Sequence, residues 1–504
     1  MDVTLLSFCA TILLLSFPLV KFVLGRLTSD EAAANLPPGS FGWPFFGESL
    51  EFLFGKPENF VGTRMKKYSK DVFKTKILGE KTAVICGPNG HKFLFSNEQN
   101  YFTAFRPHPM QRLFRSYRPC KAPPTQIPRE VETKLLKSPG FLKPEALIRN
   151  LEKMSLTTQA HLEYYWGGRK TKITNEVKAF PFAKTLTLTL ACRFFMGMDE
   201  PERIAKLGKQ FDDVTVGMHC LIVNFPGTTF YRAGKAAATI RKELSKVIKE
   251  KKEDLNSGKK QTQDILAHMI VATDPIGSYM PEAEITDKIM GLLVAGYGTV
   301  STAMTFLMKY LGENPEVYET VLDEHREISG EKSEGELLSW EDINKMKYSW
   351  NVVCEVMRLT PPLQGTFREV ITEFTYAGYT IPKGWKVYWT MGTTNKNPEY
   401  FENPEKFDPS RYQEMGETGL APYTFIPFGG GPRMCPGKEY ARLAILTFLH
   451  NVIIRFRWEL VCPNEKIVGD MMPAPQYDLP IRLIPHCGIV STRGVGKVSP
   501  NRQH

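Results

Sequence analysis

No two of the nine cysteines stand at the two-residue spacing of a metal ribbon or redox pair, and their number is odd. Cys9, Cys86, Cys120, Cys192, Cys220, Cys354, Cys435, Cys462 and Cys487 lie scattered along 504 residues. This argues against a disulfide framework and for a reducing compartment. The chain also lacks a repeat of fixed period and any long low-complexity block, so solenoids and propellers are set aside. Lys and Arg outnumber Asp and Glu, 64 to 54, but the basic residues are spread out with no recognition motif beside them. Nucleic acid is therefore not an expected partner; an acidic protein or an anionic membrane face suits the charge better. What is present is ordinary in amount: a hydrophobic share of 42 % is enough for a sizeable core.

Residues 3–24, VTLLSFCATILLLSFPLVKFVL, are apolar apart from Thr, Ser and the late Lys21. That length matches the roughly 20 residues a helix needs to cross a bilayer. A cleaved signal peptide is one reading, and Ala32-Ala33-Ala34 offers a small-residue cleavage site. Against it, the apolar run is long and Asp2 stands where a positive region is expected. The other reading, and the expected one, is a permanent anchor. Lys21 and Arg26 at its end then place the following domain in the cytosol, behind a single membrane pass. Residues 25–47 read as a Pro/Gly-rich connector, 48–486 as one catalytic domain, and 487–504 as a tail without apolar periodicity, expected to be disordered.

Within the domain, Pro57–Tyr68 predicts an amphipathic helix, and residues 72–86 predict a hairpin around Gly79-Glu80. Helical spacing covers roughly 145–164, 176–197, 201–216, 232–256 and 283–312, with short strands returning at 370–390. The expected fold is mainly α with a smaller β region. Residues 221–231, LIVNFPGTTFY, form an apolar loop suited to a membrane surface or a pocket gate. One stretch resists its own pattern. In the apolar 283–312 segment, AGYGTVST places Gly296 and Gly298 before a row of hydroxyls at Thr299, Ser301 and Thr302, although each interior glycine costs a helix roughly 1 kcal/mol against alanine.

The chemistry concentrates at Pro427-Phe-Gly-Gly-Gly-Pro-Arg-Met-Cys435-Pro-Gly, which runs straight into a nearly all-apolar helix. Backbone amides at a helix start favour a thiolate, and so a soft metal ligand. Gly429, Gly430, Gly431 and Gly437 let the backbone approach something flat, Phe428 can pack on the sulfur, and Arg433 can pair with a carboxylate. A glycine-rich turn around an inert cysteine is the simpler reading of such a loop taken alone. Phe428, Gly431, Arg433, Cys435 and Gly437, however, fill every fixed position of F-x-x-G-x-R-x-C-x-G. In this the chain resembles the cytochrome P450 family, in which a Cys thiolate is the axial ligand of haem iron. Glu355-Val-Met-Arg358 and Phe407-Asp-Pro-Ser-Arg411 resemble two further segments of that family. Finer similarity, at 346–351, 361–369 and 382–389, is to plant members that oxidise triterpenes, including beta-amyrin 28-oxidases.

The resemblance implies the P450 fold in a single large domain, haem b held at Cys435 by a loop that includes Phe428, Gly429, Arg433 and Gly437, and Arg368 on a haem propionate. It implies a buried network of Glu355, Arg358 and Arg411. It also implies a pocket for a hydrophobic small molecule lined by Leu292, Ala295, Thr299, Leu363, Gln364 and Thr366; ordinary core is the competing reading of Leu292 and Leu363. The implied activity is a monooxygenase that activates O2 with electrons from NADPH, delivered by an NADPH-cytochrome P450 reductase docking near Lys438 and Arg442. Two departures stand out. The family's helix acid before Thr299 is Gly298 here, leaving proton delivery to water, Thr299 or Tyr297, with the glycines expected to make room beside the haem. The usual Trp-x-x-x-Arg is missing, with Lys134 or Arg129 as substitutes. Two other functions stay open: an O2-independent haem-thiolate isomerase or lyase acting on a peroxide, and a non-catalytic tethered haem or sterol-binding protein.

Overall fold

The computed structural model describes residues 35–43, 46–55, 57–114, 142, 144–167, 176–257, 264–273, 277–333, 335–414, 420–469 and 471–486. The anchor 3–24, the tail 487–504, and Arg129 and Lys134 lie outside the described residues.

Helices form where apolar residues recur on one face. Pro144–Trp166, Ala179–Met196, Pro201–Gly217, Thr229–Asn256, Glu282–Glu313, Pro315–Gly330, Lys347–Leu359 and Lys438–Ile453 are the long ones. Glu282–Glu313 is apolar nearly all round because it runs through the middle of the core. Its mean hydropathy and length would suit a membrane span, but 72 % of that apolar window is buried inside the protein. In the basic Thr229–Asn256 helix, Ala233, Ala237, Ile240, Leu244 and Ile248 turn inward and leave most of the lysines toward solvent.

Two element starts differ from the periodicity for local reasons. Glu176–Lys178 is a strand, not the first turn of a helix, because Val177 pairs with Ile481. The helix expected from 232 begins at Thr229, since the hydroxyl of Thr228 accepts from the Tyr231 amide at 3.4 Å.

A five-stranded sheet stands beside the helices, in the order 72–77, 80–85, 386–390, 365–370, 102–105. Only the 80–85 and 386–390 pair is parallel. The hairpin turns at Leu78 and Gly79, both at positive φ. In this register Arg368 lies between Val387 and Ala104. The described part of the connector is docked: the Lys74 amide donates to the Pro38 carbonyl at 2.9 Å, and Phe41 sits edge-on to Trp385 at 5.7 Å.

Candidate active site

Between sheet and helices lies a mostly apolar cavity of about 490 Å³, within the usual range for a small-molecule site. One wall is the Glu282–Glu313 helix, through Leu292, Ala295, Gly296 and Thr299. A second is the edge of the sheet, through Leu363, Gly365, Thr366 and Arg368. The floor is the loop Pro427–Gly437 with Tyr440 and Ala441 behind it. Sequence periodicity missed the remaining wall, which draws Phe52, Leu53, Phe105, Arg106, Met110, Phe195, Met218 and His219 from distant elements.

The loop is held by short backbone bonds. The Cys435 amide donates to the Phe428 carbonyl at 2.9 Å, and the Gly429 amide to the Ile426 carbonyl at 2.8 Å. Gly429 and Gly431 sit at φ 70° and 64°, where an L side chain is strained. A Cβ at Gly431 would also lie 2.6 Å from the Phe95 carbonyl oxygen. Phe428 stacks on Trp350 with centroids 6.5 Å apart. The Cys435 thiol is exposed to the cavity, where a coordinating metal would hold it as a thiolate.

The donor set tests what such a metal must be. Among the described residues no three His, Cys, Asp or Glu side chains converge on a metal site, and Cys435 is the one cysteine lining the cavity. A metal here would have to bring its own equatorial donors, as a macrocycle does. Arg368 and Arg433 line the same cavity and suit its carboxylates. The residues present fit haem.

Glu98 is the residue that sequence reasoning missed. Its buried carboxylate receives Arg368 Nε on one oxygen and Arg433 Nε on the other, the latter at 3.2 Å. Arg368 Nη1 also donates to Thr366 Oγ1 and to the Phe367 carbonyl, both at 3.0 Å. Burial draws the Arg368 guanidinium below its ordinary range; Glu98 opposes that, and Arg433 and Arg106 add repulsion. Nothing in the local sequence marks Glu98, which is 270 residues from Arg368.

The Glu355, Arg358 and Arg411 side chains meet in the core. Arg358 holds both Glu355 oxygens at 2.8 Å and donates to the carbonyls of Asn395, Pro404 and Lys406. Arg411 Nε reaches Glu355 Oε1 at 3.0 Å, and the Asp408 amide donates to that oxygen at 3.0 Å. Glu355 and Arg358 are fully buried.

Three expectations for the pocket do not hold. Gln364 is buried but absent from the cavity wall. Its backbone amide donates to the Met471 carbonyl and its backbone carbonyl accepts from Thr390 Oγ1, and its side chain is buried off the wall. Tyr297 also faces away: its hydroxyl donates to Asp212 Oδ1 at 2.7 Å, and burial beside that carboxylate pushes the phenol well up, so it keeps its proton. Gly298 makes no room in the cavity. Residues 295 and 299 share a helix face, while 298 is turned about 60° from 295 and about 100° from 299. A Cβ there would lie 2.7 Å from Met472 Cε, and one at Gly296 would lie 3.3 Å from the Phe195 ring. Gly298 thus serves close packing around the helix, while Gly296 stands on the cavity wall. Gly298→Asp should push aside the end of Met472, bury a carboxylate at a cost of about 1–3 kcal/mol or more, and fail to raise the fraction of NADPH consumption that ends in product. An increase in that coupling would contradict this placement.

Thr299 does open on the cavity, with its hydroxyl donating to the Ala295 carbonyl at 2.7 Å. Leu292, Ala295, Leu363 and Thr366 line it too.

Comparison with known proteins agrees with this geometry. The family described as Cytochrome P450 matches residues 37–479. The beta-amyrin 28-monooxygenase of Medicago truncatula is 50 % identical over 466 residues, covering 91 % of this chain and 94 % of that protein. The protein of the same name from Vitis vinifera is 50 % identical over 471 residues, covering 92 % and 95 %. The retinoic-acid-bound cyanobacterial CYP120A1 superposes with a TM-score of 0.78 at 31 % identity, covering 90 % of this chain and all of that one.

Proposed function

This chain belongs to the cytochrome P450 family, and from that premise we propose that it is a membrane-anchored monooxygenase that oxidises a triterpenoid scaffold of the beta-amyrin kind. The observation that carries the reading is that the Cys435 thiol and the Thr299 hydroxyl open onto one apolar cavity. The relatives named for beta-amyrin oxidation supply the substrate class.

Cys435 would give its thiolate to the haem iron, and Arg368 and Arg433, steadied by Glu98, would receive the haem carboxylates. Bound there, haem supplies the activation of O2, for which thiolate donation favours O–O cleavage. The protein's part is orientation and proton control. Leu292, Ala295 and Leu363 keep water from the reacting carbon and press the scaffold against the site. Thr299, whose own proton is directed to the Ala295 carbonyl, presents its oxygen to the cavity as an acceptor. That oxygen can hold one water and its proton, so that solvent and Thr299 together carry the proton.

Electrons would come from NADPH through a partner reductase at the face around Cys435. Lys438 is the better docking candidate there, because Arg442 is engaged by Glu439 at 3.5 Å and Asn344 at 3.1 Å. Two exposed apolar sets border the cavity and suit a membrane surface. Leu50 and Phe54 flank the cavity residues Phe52 and Leu53, while Val216, Leu221, Val223 and Phe225 flank Met218 and His219. This supports the endoplasmic reticulum membrane as the location, with the catalytic domain on the cytosolic side.

The test is NADPH consumption by the full chain with a reductase. Consumption that rises on adding beta-amyrin, with oxidised product detected by mass, is the expected result. Turnover of a peroxide without NADPH would favour the isomerase reading, and a haem spectrum without turnover the binding protein.

A further inference from the structure

His219 is the one histidine lining the cavity among the described residues. It sits between the helices Pro201–Gly217 and Thr229–Asn256, away from the Cys435 loop in the chain. Its Nδ1 lies 3.3 Å from the Thr215 carbonyl oxygen. A carbonyl only accepts, so Nδ1 carries the proton and Nε2 is left with a lone pair. Burial also pushes this imidazole down to about 4, so it is neutral at physiological pH. The other polar side chains of the cavity whose contacts are resolved are already directed: Thr299 to its own helix, Thr366 to Arg368, and Arg368 and Arg433 to Glu98.

We propose that His219 is a specificity residue: its Nε2 accepts a hydrogen bond from a hydroxyl on the far end of the scaffold, so that the enzyme selects a triterpene alcohol over the corresponding ketone. The inference rests on the triterpenoid reading above. A ketone at that position has no proton to give, and its oxygen would face the Nε2 lone pair with both acceptors desolvated. Placed on the Met218–His219 wall and not on the Cys435 loop, the bond acts on binding and on KM more than on kcat. It also fixes which end of the scaffold enters first.

The test titrates the haem-loaded full chain with beta-amyrin and with the same skeleton whose ring-A hydroxyl is oxidised to a ketone. The substrate-induced change in the haem spectrum gives each Kd. The expected result is that the alcohol binds about tenfold tighter. His219→Phe should bring the alcohol down to the ketone's affinity, and His219→Gln, which restores an acceptor oxygen, should recover part of the alcohol's affinity. Equal binding of both compounds by the unaltered protein overturns the proposal and leaves the triterpenoid reading standing. So does a preference that survives in His219→Phe. No spectral change with either compound overturns the triterpenoid reading, and this inference with it.

Discussion

Glu355→Ala is expected to yield little folded protein. The substitution removes the one carboxylate shared by Arg358 and Arg411, and leaves a fully buried guanidinium with carbonyl partners but no counter-charge. Breaking a buried pair from one side costs about 3–5 kcal/mol, a large part of the roughly 5–15 kcal/mol that separates a folded domain from its unfolded chain. The damage would reach the site through the backbone. Arg358 ties the carbonyls of Asn395, Pro404 and Lys406 to the Lys347–Leu359 helix. That helix carries Met357 and leads within a few residues to Leu363, Thr366 and Arg368 on the cavity wall. The measurement is thermal unfolding together with haem content. A variant that melts within about 0.5 kcal/mol of the parent, as an ordinary surface change does, would show the network to be dispensable.

Cys435→Ala should be the opposite kind of loss, a folded protein without chemistry. The Cys435 backbone makes the bond that closes the loop, donating to the Phe428 carbonyl, and alanine keeps that amide. Only the sulfur goes. Loss of a partner group around a metal typically costs about 10–100-fold in affinity or activity, so loss of the sole protein ligand should exceed a hundredfold. The reduced protein with carbon monoxide should also lose its thiolate-type band. Normal unfolding with no such band and no turnover is the predicted pattern. A retained band would assign the ligand elsewhere, although no other described cysteine reaches the cavity.

How much of this could be read from residues follows from how each part is built. The Cys435 loop was legible because its chemistry is local: cysteine, arginine, phenylalanine and glycines stand within ten residues, each with a reason to be there. Glu355 and Arg358 were legible as a pair because residues three apart share a helix face. The long buried helix declared itself by hydropathy, and Gly298 raised the right question while suggesting the wrong answer. Spacing gives the face a residue occupies only once the helix is oriented, and Gly298 proved to lie against Met472. Glu98 was invisible because its two arginines come from a strand and a loop far along the chain. The wall at Phe52, Phe195 and His219 was invisible for the same reason, since a cavity between elements leaves no periodic mark in any of them. Gln364 was misplaced by its neighbours: Leu363 and Thr366 do face the cavity, but the Gln364 side chain is buried off the wall.

The account's central claim is a single oxygen transfer to a triterpenoid at the Cys435 site, and labelled O2 tests it most directly. The full chain, reductase, NADPH and beta-amyrin would be incubated under heavy-isotope O2 in ordinary water, and the first product weighed. The account predicts one heavy oxygen atom in that product, lost when Cys435 is alanine. A product carrying no label, or one formed equally well without O2, would contradict it.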